Sequence, residues 1–198
     1  MLELIVATHN AHKVEEMAPL LAGLCSLCSA SEVGITESIP EDHDTLEANA
    51  LQKASYVHQA TGLDTFADDT GLEVHALHGA PGVYSARYAG PSCTPADNVR
   101  KLLENMQGVE DRRARFRTVI ALIYRGQEFL FEGVVEGTIL HAPTGAEGFG
   151  YDPIFQPTGE CRSFAQMPLA AKNAISHRGR AVAALVEFLK AQPCMRGA

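Results

Sequence analysis

Four short segments collect residue types suited to holding and cleaving a phosphorylated molecule. The first, Thr8-His9-Asn10-Ala11-His12-Lys13, follows an apolar run and opens a helical pattern. A strand-to-helix turn of this kind presents backbone N–H groups at the positive end of a helix dipole, where an anion is stabilised. Thr8 and Asn10 add side-chain donors, and Lys13 adds a charge one turn in. The same residues also read as a plain N-cap at Asn10 followed by a solvated lysine. The glycines of a Walker loop are absent.

The second segment, Asp68-Asp69-Thr70-Gly71, is placed by its pattern at the carboxyl end of a short strand spanning 64–67. Ligands of open α/β sheets bind at that edge. Adjacent carboxylates raise each other's pKa unless a cation neutralises them, and hard oxygen ligands near phosphates suit Mg²⁺. An acidic turn at a strand end is the alternative. The third, Gly148-Phe149-Gly150-Tyr151-Asp152-Pro153, offers an aromatic face for a purine and a carboxylate to accept from ring N–H groups. Its alternative is that Phe149 and Tyr151 plug the core. In the fourth, Lys172-Asn173-Ala174-Ile175-Ser176-His177-Arg178, cations fall in the first turn of a helix and oppose its dipole, a local conflict expected at functional sites.

The elements that must position these groups alternate, which predicts an α/β fold. Residues 2–7 read as a buried strand; Val14, Met17, Ala18 and Leu21 recur at helical spacing up to Gly23, with Pro19 inside the pattern. A second helix is predicted from Thr45 to Ala60, closed by Gly62, with Asp44 and Glu47 spaced as a capping box. Thr94-Pro95 opens a third helix, 115–124 and 128–139 form a hairpin around Arg125-Gly126, and a last helix from near Ser176 carries Ala181, Leu185 and Leu189 inward up to Pro193.

The 198 residues fit one domain spanning 1–198, with no separable linker. Sixteen Lys and Arg against 24 Asp and Glu give a net charge of −8, which argues against a nucleic acid polymer as partner. No apolar run approaches the ~20 residues of a membrane span, and the N-terminal residues lack a signal-peptide pattern, so a cytoplasmic protein is expected. The five cysteines are expected reduced; Cys25 and Cys28, three apart on a strand, point to opposite faces and do not share a zinc.

In this order and spacing, these segments resemble the inosine triphosphate pyrophosphatase family, the Ham1 or RdgB-like proteins. Further matching stretches are Thr45-Leu46-Glu47-Ala48-Asn49-Ala50 with Lys53, and Gly79-Ala80-Pro81-Gly82-Val83-Tyr84-Ser85-Ala86-Arg87-Tyr88. The resemblance covers essentially the whole chain. It implies an elongated, two-lobed α/β fold with a twisted mixed sheet and a central substrate cleft. It further implies a homodimer and Mg²⁺-dependent hydrolysis of ITP, dITP or XTP to the monophosphate and pyrophosphate. By resemblance, Thr8, His9, Asn10, Ala11, His12 and Lys13 bind phosphate. Asp69 is the general base and a metal ligand, joined at the metal by Asp68 and Glu41. Thr70, Phe149, Gly150, Tyr151, Asp152, Lys172, His177 and Arg178 contact the nucleotide, the last two and Lys172 donating to a 6-keto oxygen. The chain departs from the family pattern at Ala48, Gln166 and Thr70, where Glu, an acid and Ser are common. A phosphatase releasing orthophosphate and a nucleotide sensor without turnover are the competing readings.

Overall fold

Leu4, Ile5 and Val6 are fully buried, and they form the centre of β1 (Leu2–Val6). β1 lies between two parallel partners, β2 (Cys25–Ser29), with Leu4 opposite Leu27, and β3 (Thr65–Val74), with Val6 opposite Phe66. A strand segment covered on both faces is apolar throughout, which is why Leu4–Val6 shows no alternation, while Glu3 before it is exposed. The computed structural model describes residues 2–192; Pro193 and Cys194 lie outside them.

The two crossovers are α1 (Ala11–Leu21) and α2 (Leu46–Thr61). The predicted Asp44–Glu47 capping box is not formed. Thr45, in extended conformation, is the N-cap, and its hydroxyl accepts from the Ala48 amide, so the helix starts one residue later than that box requires. Gly62 closes α2 as predicted, with φ +71 and its N–H on the His58 carbonyl.

A larger difference concerns β3. The strand predicted to stop at Ala67 runs on through Asp68, Asp69, Thr70 and Gly71 to Val74. Its second half pairs antiparallel with β4 (Pro81–Gly82), and Gly71 permits this, since a Cβ there would sit 2.7 Å from the Gly82 carbonyl oxygen. The two acids are therefore strand residues, not turn residues.

α3 (Pro95–Asn105) starts from Thr94 with a complete capping box to Asp97. β5 (Arg113–Tyr124) and β6 (Gln127–Ile139) form the expected hairpin, and Arg125 and Gly126, at φ +52 and +75, supply the two left-handed positions of a tight turn. β7 (Phe155–Pro157) pairs antiparallel with β6. α4 (Leu169–Ile175) and α5 (His177–Ala191) are separated at Ser176. The strand order of the mixed sheet is β2-β1-β3-β5-β6-β7, with β4 on β3.

The chain forms two compact units. Unit 1 comprises Met1–Asp69, Thr118–Gly133 and Arg178–Ala198, and its core includes Leu4, Val6, Met17, Leu21, Phe66, Ile120, Leu122, Leu185 and Leu189. Unit 2 comprises Thr70–Arg117 and Val134–His177, with a core of Leu72, Leu102, Phe116, Ile139, Tyr151, Ile154, Phe155 and Phe164 among others. Among the described residues no helix is long and apolar enough to cross a membrane. Cys25 is buried in the unit 1 core, and the Cys28 thiol donates to Glu3 at 3.4 Å.

Candidate active site

Unit 1 holds an alternating set of buried charges around Asp68 and Asp69. Asp68, almost fully buried in β3, has Lys13 Nζ 3.0 Å from its Oδ1 and Arg178 Nε and Nη2 at 3.2 and 3.1 Å from its Oδ2. Lys13 also donates to the Asp68 carbonyl at 3.3 Å. Burial alone would raise the Asp68 pKa, but the cations Lys13, Arg178 and Lys53 outweigh it and hold the carboxyl well below the usual range. Lys13 and Arg178 are thus the cations that the fold sets against this carboxylate.

Asp69 points to the other face of β3, as the strand period requires. Its Oδ1 accepts from Lys53 Nζ at 2.7 Å, and Lys53 also reaches Glu41 Oε2 at 3.3 Å. Burial pushes the Asp69 carboxyl above its ordinary pKa, against the opposing pull of Lys53 and Lys13. For Lys53 the balance is reversed: burial lowers it, but Asp69, Asp68 and Glu41 together hold it above its ordinary value. Two neighbouring carboxyls pushed in opposite directions are what a site needs to assign one as counterion and the other as proton acceptor.

Glu41 is brought to Lys53 by a loop that α2 anchors. Buried Asn49 accepts from the His43 amide at 2.8 Å and donates to the His43 carbonyl at 3.1 Å, and Gln52 bonds Asp42. Tyr56 donates to Glu37 at 2.8 Å. His9 joins the same loop, with Nδ1 3.1 Å from Ser31 Oγ and Nε2 2.9 Å from the Glu37 carbonyl oxygen, so its ring is engaged with protein partners at both nitrogens.

The strand-to-helix turn is largely self-capped. Asn10 Oδ1 accepts from the amides of His12 and Lys13 at 3.0 and 3.4 Å, and Thr8 Oγ1 accepts from the Asn10 amide at 3.2 Å. His12 lies exposed beside Glu15 at 3.4 Å. The cap alternative therefore describes Asn10, and the charge this turn directs inward is Lys13.

Unit 2 carries the other predicted residues. Lys172, buried, donates to Asp152 Oδ2 at 2.5 Å and lies 5.2 Å from the centre of the Phe149 ring. Asp152 Oδ2 also accepts from the Phe149 amide at 2.8 Å. Tyr151 is a core residue, its hydroxyl donating to the Ser85 carbonyl at 2.8 Å, which favours the plug alternative. Burial pushes its phenol far up. His177, buried, stacks on Phe116 with ring centres 4.5 Å apart. Thr70 and Gly150 are partly buried in β3 and the glycine loop.

Arg178 lies among buried carboxylates. It belongs to unit 1, is almost fully buried, and donates through Nη1 to Glu16 and through Nε and Nη2 to Asp68. Its guanidinium thus joins carboxylates of α1 and β3.

Two residues of this constellation escaped the sequence reading as site members. Lys53 sits on the buried face of α2 with Leu46, Ala50, Ala54 and Val57, and Glu16 sits beside Met17 on the buried face of α1. A charged residue on an apolar helical stripe was the available signal, since such residues are rarely buried unless paired.

For a divalent cation, the donor set on offer is Asp69 and Glu41, two carboxylates converging on the one ammonium of Lys53. Mg²⁺ takes one or two carboxylates and completes its shell with water and phosphate oxygens, so these residues fit it. Among the described residues, no group of three or more His, Cys, Asp or Glu is arranged to hold a metal.

An α/β protein with paired, oppositely shifted acids beside buried lysines has the equipment of a phosphoanhydride hydrolase. The chain belongs to the Ham1 family, whose model matches residues 4–188. It is 53% identical over 190 residues to a dITP/XTP pyrophosphatase of Porphyromonas gingivalis, covering 96% of this chain and 98% of that one. It is 52% identical over 188 residues to one from Christiangramia forsetii, covering 95% and 99%. Among solved structures, a HAM1 protein from Coxiella burnetii superposes with a TM-score of 0.89 at 40% identity, covering 97% of this chain and 100% of that one.

Proposed function

We propose that this chain is a dITP/XTP pyrophosphatase that cleaves non-canonical purine nucleoside triphosphates between the α- and β-phosphates. Water attacks the α-phosphorus; one oxygen–phosphorus bond forms, the Pα–O bond to the β-phosphate breaks, and monophosphate and pyrophosphate leave. The observation that carries this reading is the buried geometry on β3, where Asp69 meets Lys53 beside Glu41 while Asp68 is held by Lys13 and Arg178. Full-length similarity to relatives bearing that enzyme name supports the substrate class.

In this reading Asp69 orients the water and takes its proton, work worth about 10²–10⁴-fold in rate. Lys53 and Lys13 hold phosphate oxygens, and Thr8, Ala11 and their neighbours bound that end. Asp69 and Glu41 would hold Mg²⁺, which when bound would supply charge neutralisation on the phosphate oxygens. Lys172 and His177 donate to the 6-keto oxygen, and Phe149 gives the base an apolar face. A 6-amino group leaves such donors unpaired, so ATP is rejected. A homodimer working in the cytoplasm completes the reading and rests on the family resemblance.

The test is a panel of nucleotides with Mg²⁺ and chromatographic resolution of products. ITP is expected to give IMP and pyrophosphate; IDP and orthophosphate would identify a terminal phosphatase instead. Asp69→Asn is expected to lower kcat by about 10²–10⁴-fold while ITP still binds.

A further inference from the structure

We infer that Ser85 is a positioning residue for the base, bracing the β3 segment after Thr70 against the glycine loop that carries Phe149 and Asp152. The inference rests on the reading above that this loop and Lys172 receive the base. It gives a role to the stretch 79–88, which no step of the proposed reaction uses.

Ser85 is buried and opens a short helical turn (Ser85–Arg87) shortly after β4. Its hydroxyl accepts from the Leu72 amide at 2.9 Å and donates to the Gly82 carbonyl at 2.6 Å. Leu72 and Gly82 face each other across the β3–β4 pair, so the hydroxyl joins the two strands as a third partner. The Ser85 carbonyl, in turn, accepts from the Tyr151 hydroxyl at 2.8 Å. Burial pushes that phenol's pKa far up, so it stays protonated as a donor. Both ends of this brace are anchored. Asn98 on the buried face of α3 donates to the Ala86 carbonyl at 3.1 Å and accepts from the Ala89 amide at 2.7 Å. Tyr151 is one peptide bond from Asp152, whose Oδ2 receives the Phe149 amide and the Lys172 ammonium. One residue thus joins Leu72, two positions past Thr70, to the loop, and all of these residues belong to unit 2.

A buried N–H or C=O left unmet costs more than its bond contributes, so the chain shifts until each group finds a partner. For the Leu72 amide and the Ser85 carbonyl, that shift moves the loop of Phe149 relative to Thr70. Orientation of a bound group is sensitive to such small displacements. Lys13, Lys53 and Asp69, proposed for the phosphate end and the water, belong to unit 1 and are not members of the brace. Cutting the brace therefore weakens the hold on the base and spares the chemical step.

The test uses the full chain with Mg²⁺, measuring ITP hydrolysis, inhibition by IMP and by inorganic tripolyphosphate, and amide hydrogen exchange without ligand. Ser85→Ala and Tyr151→Phe are each expected to raise KM for ITP by about 5- to 30-fold, with kcat changed less than about threefold. Inhibition by IMP should weaken in parallel, while inhibition by tripolyphosphate should hold within about twofold. In the double variant the rise in KM should fall short of the product of the two single effects, because both changes cut one path. Tyr151→Phe keeps the buried ring and decides the matter where Ser85→Ala does not fold. The Phe149 and Asp152 amides should exchange faster in both variants, and the Leu72 amide in Ser85→Ala alone. An unchanged KM beside a lowered thermal midpoint would make Ser85 a merely structural residue and overturn the inference. So would a rise in KM matched by weaker tripolyphosphate inhibition, or fully multiplicative effects in the double variant. A wild type that releases no pyrophosphate refutes the enzymatic reading alone. Exchange then judges the brace: faster Phe149 and Asp152 amides support it, and unaltered ones overturn it.

Discussion

Gly148 adopts φ +71, and a Cβ built on it would lie 2.2 Å from Asp152 Oδ2. That oxygen is the one shared by the Phe149 amide and the Lys172 ammonium. Glycine is therefore required twice over, for its backbone conformation and for the approach of the carboxylate. Gly148→Ala is expected to displace Asp152 and loosen Lys172, whose charge-assisted bond is worth about 1.5–3 kcal/mol. On the proposed reading the consequence falls on nucleotide affinity, because the residues proposed for the hydrolytic step belong to the other unit. KM for ITP should rise by about 10- to 100-fold with kcat little changed. Steady-state kinetics on ITP check this, and an unaltered KM would remove Asp152 and Lys172 from the binding of the base.

At the scale of elements, α3 gives the cleanest case of a sequence signal realised. Thr94 Oγ1 accepts from the Asp97 amide at 3.2 Å, and the Asp97 carboxylate accepts from the Thr94 amide and hydroxyl at 2.8 and 2.7 Å. These bonds from Thr94, with Arg100 adding to them, hold the Asp97 pKa at about 2. A pKa depressed in the fold stabilises above the unfolded value of about 3.9 and loses that contribution as pH falls toward the folded value. Thr94→Ala is expected to cost about 1 kcal/mol at pH 6, and the gap to wild type should narrow between pH 4 and pH 2 in urea titrations. A gap constant with pH would mean that the hydroxyl acts on the helix without involving Asp97. The same local legibility held for the β5–β6 turn at Arg125-Gly126 and for Gly62, where backbone conformation is dictated within a few residues. It failed at β3. Asp68 and Asp69 look like strand-enders, and only tertiary partners absent from the local sequence, Lys13, Lys53, Arg178 and the β4 backbone against Gly71, make a buried strand of them. The residue types of the candidate site were legible in their order along the chain. Arg178 shows the limit, since a cation in a first helical turn announces a need for an anion but does not say that Asp68 and Glu16 supply it.

For the whole molecule the decisive fact is where the chain passes from one unit to the other. Three passages fall inside strands, at Asp69–Thr70 in β3, Arg117–Thr118 in β5 and Gly133–Val134 in β6. The fourth, His177–Arg178, falls in the first turn of α5. No passage is a linker, so neither unit can lose its strands without fraying elements that continue into the other. Cooperative opening by separate parts requires segments whose hydrogen bonds can break independently, and here they cannot. The chain is therefore expected to unfold in one transition despite having two cores. Leu185→Ala tests this from inside unit 1, where Leu185 is fully buried in a core with Leu122 and Leu189. The truncation should cost about 2–5 kcal/mol. Native-state hydrogen exchange should show that loss equally at the slowest amides of both units, including β7 and its neighbours on β6, which Leu185 does not join. Loss confined to amides of unit 1 would show that the cores open separately, and that continuous strands do not suffice to couple them.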